Sequence, residues 1–145
     1  PITVENMLSY IKEGYYKNTV FHRIIKDFMA QGGGFDTDLK PKNTHKPIKN
    51  EADNGLKNTR GSIAMARSSA PDSATSQFFI NMVDNNFLNH TSKTSRGWGY
   101  TVFGRVTSGM SVVNKMAAIP TGAQGMFRQD VPKTPVIIKD IVIVK

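Results

Sequence analysis

The chain has 145 residues, of which 39% are hydrophobic and 21% are charged, and its formal net charge is +8. This length and composition indicate one globular domain, and the absence of cysteine excludes disulfides and thiolate chemistry. No apolar run in the sequence is long enough to span a bilayer, so we expect no membrane partner.

The predicted elements begin with a helix over residues 1–13, where a partial apolar stripe ends at Gly14. Apolar runs rich in β-branched and aromatic residues then predict six strands: 20–25, 28–32, 62–67, 77–82, 100–106 and 136–144. A second helix is predicted over 109–118. Long polar segments are expected to form loops at 35–60, 68–75 and 84–99. Many short strands with only two helices indicate a mainly β domain, either an antiparallel barrel or a sandwich.

One arginine, Arg23, lies inside the apolar run 20–25, where a cation is costly unless it has a function. Residues two apart share one face of a strand, so Arg23 is expected beside Phe21 and Ile25. His22 would then lie on the core face. We expect it to be a buried residue with a hydrogen-bond partner rather than a catalytic group.

Two further strands each place a glutamine beside a large apolar side chain. Strand periodicity groups Met29 with Gln31, and Gln77 with Phe79. An apolar pocket with a few fixed polar groups is typical of a recognition site. The triple glycine 32–34 is expected to form a turn that needs positive φ or a close backbone approach.

Several kinds of catalytic or cofactor site do not fit the sequence. There is no G-x-S-x-G pattern for a serine hydrolase, and the three histidines lack the spacing of metal ligands. The triple glycine is not followed by the Lys of a phosphate-binding loop. We therefore expect neither a metal nor a cofactor.

An RNA-binding domain is the main alternative, because residues 96–103 (RGWGYTVF) come close to the RNP1 pattern of RNA-recognition motifs. However, Thr101 replaces an aliphatic residue, and Trp98 stands where Phe or Tyr is usual. The best partner strand, 78–82, is too near in sequence to leave room for the required helix and strand. The scattered cations favour a merely basic surface, so nucleic acid is not the expected partner.

Four ordered segments together resemble the cyclophilins, a family of peptidyl-prolyl cis-trans isomerases. These segments are 21–25 (FHRII), 28–33 (FMAQGG), 76–80 (SQFFI) and 102–104 (VFG). Residues 50–56 (NEADNGL), with 60–61 and 64–67, are similar to the bacterial branch. The segment 122–132 is similar to cytoplasmic bacterial members, so a cytoplasmic location is expected; the alternative is periplasmic, since any signal peptide would lie upstream of Pro1.

The resemblance implies a catalytic group made of Arg23, Gln31 and Phe79. The substrate-binding residues that it implies are Phe28, Met29, Ala66, Arg67, Gln77, Phe87, Leu88 and Tyr100. Phe87 stands where many eukaryotic members carry the Trp linked to tight cyclosporin binding, so only weak cyclosporin binding is expected. Arg67 replaces an Asn common in those members and would add a second cation at the groove edge.

The resemblance also implies the fold: an eight-stranded antiparallel cyclophilin barrel flanked by two helices. Family members have two strands before the helix that begins here at Pro1. Residues 1–145 are therefore expected to form one N-terminally incomplete isomerase domain, since in the family the strand 136–144 would pair with one of those two strands.

The implied activity is isomerisation of X-Pro bonds in proline-containing peptides and in unfolded or partly folded proteins, which assists folding. Catalysis would stabilise the twisted amide, without covalent or acid–base chemistry, and the protein would act as a monomer. A module that binds proline-containing segments without turnover is the remaining alternative.

Overall fold

The computed structural model describes residues 1–144, in which two helices flank short antiparallel strands. Helix α1 spans Ile2–Lys12 and helix α2 spans Met110–Ala117, both within one residue of the predicted limits. No helix in the described part of the chain combines the length and apolar character needed to cross a bilayer.

A distant carboxylate caps the start of α1. Glu51 accepts hydrogen bonds from the Thr3 amide at 2.7 Å, the Thr3 hydroxyl at 2.6 Å and the Ile2 amide at 3.3 Å. The first amides of a helix have no partner within the helix, so Glu51 satisfies donors that would otherwise need water. Burial raises the pKa of Glu51, but these hydrogen bonds outweigh it and the pKa ends below its ordinary value.

Nine strands are described in residues 1–144. They are β1 (Thr19–Val20), β2 (Arg23–Ile25), β3 (Met29–Gly32), β4 (Ser62–Met65), β5 (Phe78–Asn81), β6 (Val102–Arg105), β7 (Thr121–Gln124), β8 (Phe127–Pro132) and β9 (Ile137–Ile138). The central sheet is antiparallel with the order β2-β3-β5-β4-β6, while β1 pairs with β9 and β7 with β8. The mainly β fold with two helices is confirmed, but these described sheets do not close into one barrel.

The register of the central sheet sets three key side chains in one row. Arg23 lies opposite Gln31, and Gln31 lies opposite Phe79. The alternate residues Ile24 and Ala30 belong to a buried cluster formed with helix α2. One face of this sheet is therefore core, and the other face is left to form a site.

The predicted strand 20–25 is wrong as a single element, because the chain leaves one sheet after Val20 and enters another at Arg23. Phe21 packs edge-on against Phe78, with ring centroids 5.9 Å apart, and does not lie beside Arg23. Ile25 does pack against the apolar cluster on the site face, as expected. Strand periodicity fails where the chain bends between two sheets.

His22 is buried as predicted, but its expected hydrogen-bond partner is missing. Its ring packs against those of Phe35 and Phe127, with centroid distances of 4.5 and 5.3 Å. Nδ1 has no partner in the described part of the chain. Burial, together with the positive charge of Arg23, lowers the pKa of His22 to about 4.

Two features near the C-terminus differ from the prediction: the hairpin β7–β8 was not predicted, and the last strand was predicted too long. Gly125, with φ of 57°, is the first residue of the two-residue hairpin loop. Glycine is favoured at this position because it adopts positive φ without steric cost. Most hairpin side chains are partly or fully exposed, so they show no strong apolar pattern. Of the predicted strand 136–144, only β9 forms a ladder among the described residues.

The structure agrees with both reasons predicted for the triple glycine, positive φ and a close backbone approach. Gly33 has φ of 89°, and a Cβ there would lie 2.8 Å from Cε1 of Tyr16. A Cβ on Gly32 would lie 2.8 Å from the carbonyl oxygen of Val20. The turn thus needs both positive φ and a close approach.

Candidate active site

A cleft of about 470 Å³, including its open mouth, lies on the site face of the central sheet. Strands β2, β3 and β5, the residues after β4, and the loop 82–101 all contribute side chains to its lining. The lining residues are Arg23, Phe28, Met29, Gln31, Ala66, Arg67, Phe79, Leu88 and Tyr100.

The floor of the cleft is apolar and closely packed. Met29, Phe79 and Leu88 belong to one buried cluster, against which Phe28 and Tyr100 pack as half-buried rim residues. The rings of Phe79 and Tyr100 meet edge to face, with centroids 5.8 Å apart. This surface suits a small apolar ring.

The side chain of Arg23 is exposed at the edge of the cleft, although its neighbours in sequence are apolar. Its Nη1 donates to Oε1 of Gln31 at 3.3 Å, and Nε2 of Gln31 donates to Oε1 of Gln77 at 2.9 Å. Within residues 1–144, no carboxylate oxygen lies within 4.0 Å of the guanidinium. Most of its five N–H donors are therefore free for a ligand.

Arg67 is fixed across the cleft by several contacts. Its Nε donates to the Gly99 carbonyl at 3.0 Å, and its Nη1 donates to the carbonyls of Ser68 at 2.8 Å and Ser69 at 3.3 Å. Its guanidinium carbon lies 4.6 Å from the ring centroid of Tyr100, in cation–π contact. The second cation of the cleft is thus held in one orientation.

Two of the eleven predicted site residues do not line this cleft. Gln77 lines an adjoining cleft and reaches the site only through its contact with Gln31. Phe87 is 74% exposed and stacks on Phe28 with ring centroids 5.6 Å apart. Phe87 is therefore an outer rim residue rather than part of the pocket wall.

A chain of buried asparagine side chains, not predicted from the sequence, supports the cleft. Asn58 donates to the carbonyls of Leu88 at 3.2 Å and Tyr100 at 3.3 Å. Asn81 donates to Asn58 at 3.0 Å, and Asn85 donates to Asn81 at 2.8 Å. An amide at the end of the apolar run 77–82 was the available signal. Spacing alone cannot show which carbonyls such an amide reaches.

The run 96–103 does not form the exposed aromatic strand that RNA-recognition motifs use. Only Val102 and Phe103 lie in a strand, while Trp98 packs against His90 with ring centroids 5.0 Å apart. Tyr100 is covered by Arg67 and packed on Phe79. The aromatic residues of this run therefore pack against other parts of the protein and do not form one exposed surface.

Comparison with known proteins gives consistent matches over nearly the whole chain. The family model for cyclophilin type peptidyl-prolyl cis-trans isomerase/CLD matches residues 1–143. Peptidyl-prolyl cis-trans isomerase B of Escherichia coli (strain K12) is 58% identical over 143 residues, which cover 99% of this chain and 87% of that protein. Peptidyl-prolyl cis-trans isomerase cyp18 of Streptomyces antibioticus is 58% identical over 139 residues, covering 96% and 83%.

A solved structure shows the same fold. The crystal structure of a cyclophilin type peptidyl-prolyl cis-trans isomerase of Cryptosporidium parvum, in the presence of the dipeptide Ala-Pro, matches with a TM-score of 0.77. The two chains are 32% identical, and the match covers 100% of this chain and 86% of that one.

Proposed function

Because the chain belongs to the cyclophilin type peptidyl-prolyl cis-trans isomerases, we propose that its cleft accelerates X-Pro rotation by binding the twisted amide more tightly than either planar form. Amide rotation faces a barrier of about 18–20 kcal/mol. The two X-Pro isomers differ by only about 1 kcal/mol but exchange over tens to hundreds of seconds. A catalyst therefore needs no nucleophile and no proton transfer.

The observation that carries the proposal is a guanidinium with free donors beside an apolar ring pocket. The proline ring would lie against Met29, Phe79 and Leu88, which share one buried cluster. Twisting the amide restores the lone pair on the prolyl nitrogen, which then accepts a hydrogen bond. Arg23 can donate to that nitrogen only in the twisted state, so its interaction lowers the barrier.

Gln31 would hold the Arg23 side chain in place. Its carbonyl oxygen accepts from Arg23, and its amide is fixed in turn by Gln77. A hydrogen bond from a charged donor contributes about 1.5–3 kcal/mol, which corresponds to roughly ten- to hundredfold in rate. Further acceleration would come from the water-poor pocket that orients the ring.

The test compares Arg23→Ala and Arg23→Lys with Arg105→Ala, which removes an exposed arginine from the edge strand of the same sheet. Exchange of a short X-Pro peptide is measured by two-dimensional NMR, without a coupling protease. We expect Arg23→Ala to lose roughly 10- to 100-fold in kcat/KM, and Arg23→Lys to lose most of the activity because it lacks the planar fork. Arg105→Ala should stay within about twofold.

Near-normal turnover in folded Arg23→Ala, checked by circular dichroism, would contradict this role. If the unsubstituted protein bound the peptide but left its exchange rate unchanged, the cleft would be a binding module instead.

The expected ligands are proline-containing peptides and unfolded or partly folded proteins. Two observations support this: the cleft has a ring-sized apolar floor, and a relative of the same fold was crystallised in the presence of Ala-Pro. We propose that the protein acts as a monomer, because Arg23, Gln31 and the apolar ring pocket already lie together in one cleft of one chain. We propose weak cyclosporin binding, because Phe87 is mostly outside the pocket. Calorimetric titration with cyclosporin tests this.

A further inference from the structure

A second cleft adjoins the first and has a different chemistry. It encloses about 550 Å³, including its open mouth, and shares Gln31, Ala66 and Arg67 with the first cleft. Its other lining residues are Ser68, Ser73, Thr75 and Gln77. Apart from Ala66, every residue that lines it is polar, and none is Asp or Glu. Among the described residues, Arg67 is the only charged one that lines this cleft.

The serine hydroxyls of this cleft are already committed to the protein. Ser73 donates to the Ala70 carbonyl at 2.6 Å, and Ser68 donates to Ser73 at 2.8 Å. Asp72, the acidic residue of the same loop, is turned to the Asn50 amide at 2.8 Å and does not line the cleft. Within residues 1–144, no carboxylate oxygen lies within 4.0 Å of an Arg67 nitrogen, so Arg67 has no ion-pair partner there.

The groups that remain for a ligand are mainly donors. Within residues 1–144, Nη2 of Arg67 and the side-chain nitrogen of Gln77 have no protein acceptor. The side-chain oxygen of Gln77 already accepts a hydrogen bond from Gln31, so Gln77 offers a ligand mainly its donors. Arg67 is also held in advance by three carbonyls and by Tyr100, so little side-chain freedom is lost when a ligand binds. A fixed cation among free donors matches a group that only accepts hydrogen bonds, and an ionised carboxylate is such a group.

We propose that Arg67 makes this isomerase select prolyl substrates that carry an aspartate or glutamate close to the proline. The inference rests on the proposed function, in which the proline ring occupies the first cleft. Because the clefts share a wall and an extended chain advances about 3.3–3.6 Å per residue, an acidic side chain within about three residues of the proline reaches Arg67.

The test uses N-acetylated, C-amidated alanine peptides with one central Ala-Pro bond. Glutamate or glutamine replaces alanine at each of the three positions before the proline and the two after it, one at a time. The Glu/Gln pairs have nearly the same shape and differ in charge. NMR exchange gives kcat/KM for each peptide, and the readout is the Glu/Gln ratio within one enzyme.

The variants are Arg67→Gln and Arg105→Gln, which remove the same charge from the cleft and from the end of edge strand β6, a position that lines neither cleft. We expect one peptide position to give a Glu/Gln ratio of about three to ten in the unsubstituted protein. Arg67→Gln should reduce that ratio to within about twofold of one. Arg105→Gln should leave it unchanged.

Three outcomes would overturn the inference: a ratio near one at every position, a ratio that survives Arg67→Gln, or an equal reduction in Arg105→Gln. The last result would mean attraction by the whole basic surface. In each case, turnover of the glutamine peptides would leave the proposed function intact, whereas failure to turn over any peptide would reject that function itself.

Discussion

The buried His22 makes the stability of the fold dependent on pH in a predictable direction. The pKa of His22 is lowered to about 4 in the folded protein, whereas an unfolded histidine titrates near 6.5. Well above pH 6.5 the ring is neutral in both the folded and the unfolded protein, so His22 does not lower the free energy of unfolding. As the pH falls below 6.5, the unfolded chain takes up a proton that the folded protein does not, so stability decreases.

The size of this effect follows from the two pKa values. The full difference is about 3 kcal/mol and is reached near pH 4. Between pH 7 and pH 5, the free energy of unfolding should fall by about 2 kcal/mol. Working at pH 5 and above avoids most of the contribution of Glu51, whose lowered pKa stabilises the fold at neutral pH and loses that effect at more acidic pH.

Urea unfolding at pH 7 and pH 5 measures the decrease. His22→Leu removes the titrating group and places an apolar side chain against Phe35 and Phe127, so we expect most of the pH difference to disappear. Ile24→Val is the matched control. It weakens the adjacent core by about 0.5–1.5 kcal/mol at both pH values and should keep the difference. An unchanged pH difference in His22→Leu would refute the reasoning.

Three further substitutions test other parts of the structure. Asn58→Ala leaves the Tyr100 carbonyl without its buried donor, whereas the Leu88 carbonyl keeps its hydrogen bond from the Tyr100 amide at 2.9 Å. We therefore expect a loss of about 1–3 kcal/mol in urea unfolding and a higher KM for prolyl peptides; an unchanged KM would separate this network from the site. Gly33→Ala combines positive φ with a contact of 2.8 Å to Tyr16, and should lower thermal stability by at least about 2 kcal/mol; wild-type melting would contradict it. Glu51→Gln should lower the free energy of unfolding by about 1 kcal/mol at pH 7 and make it depend less on pH below about pH 4.5. An unchanged free energy of unfolding at both pH values would contradict a stabilising cap.

Local sequence patterns determined the elements that build the cleft floor. The alternation in β3 placed Met29 and Gln31 on the face that lines the cleft, because neighbouring strand residues point to opposite faces. The same rule did not hold for Gln77 and Phe79, since Gln77 precedes β5 and lines the adjoining cleft. Both helices were predicted within one residue, since an apolar stripe and flanking glycine or proline are local signals. The ordered segments that resemble cyclophilins were also readable from the chain alone.

Tertiary structure alone decided the features that depend on contacts between distant residues. The chain bends at Phe21 and His22 because β1 pairs with β9 while β2 pairs with β3. The residue types within 20–25 contain no local signal of this change of partner strand. The carbonyls reached by Asn58 lie 30 and 42 residues away along the chain. Hydrogen bonds and cation–π contacts of this kind depend on distances in space, whereas sequence periodicity reports only the faces of one element at a time.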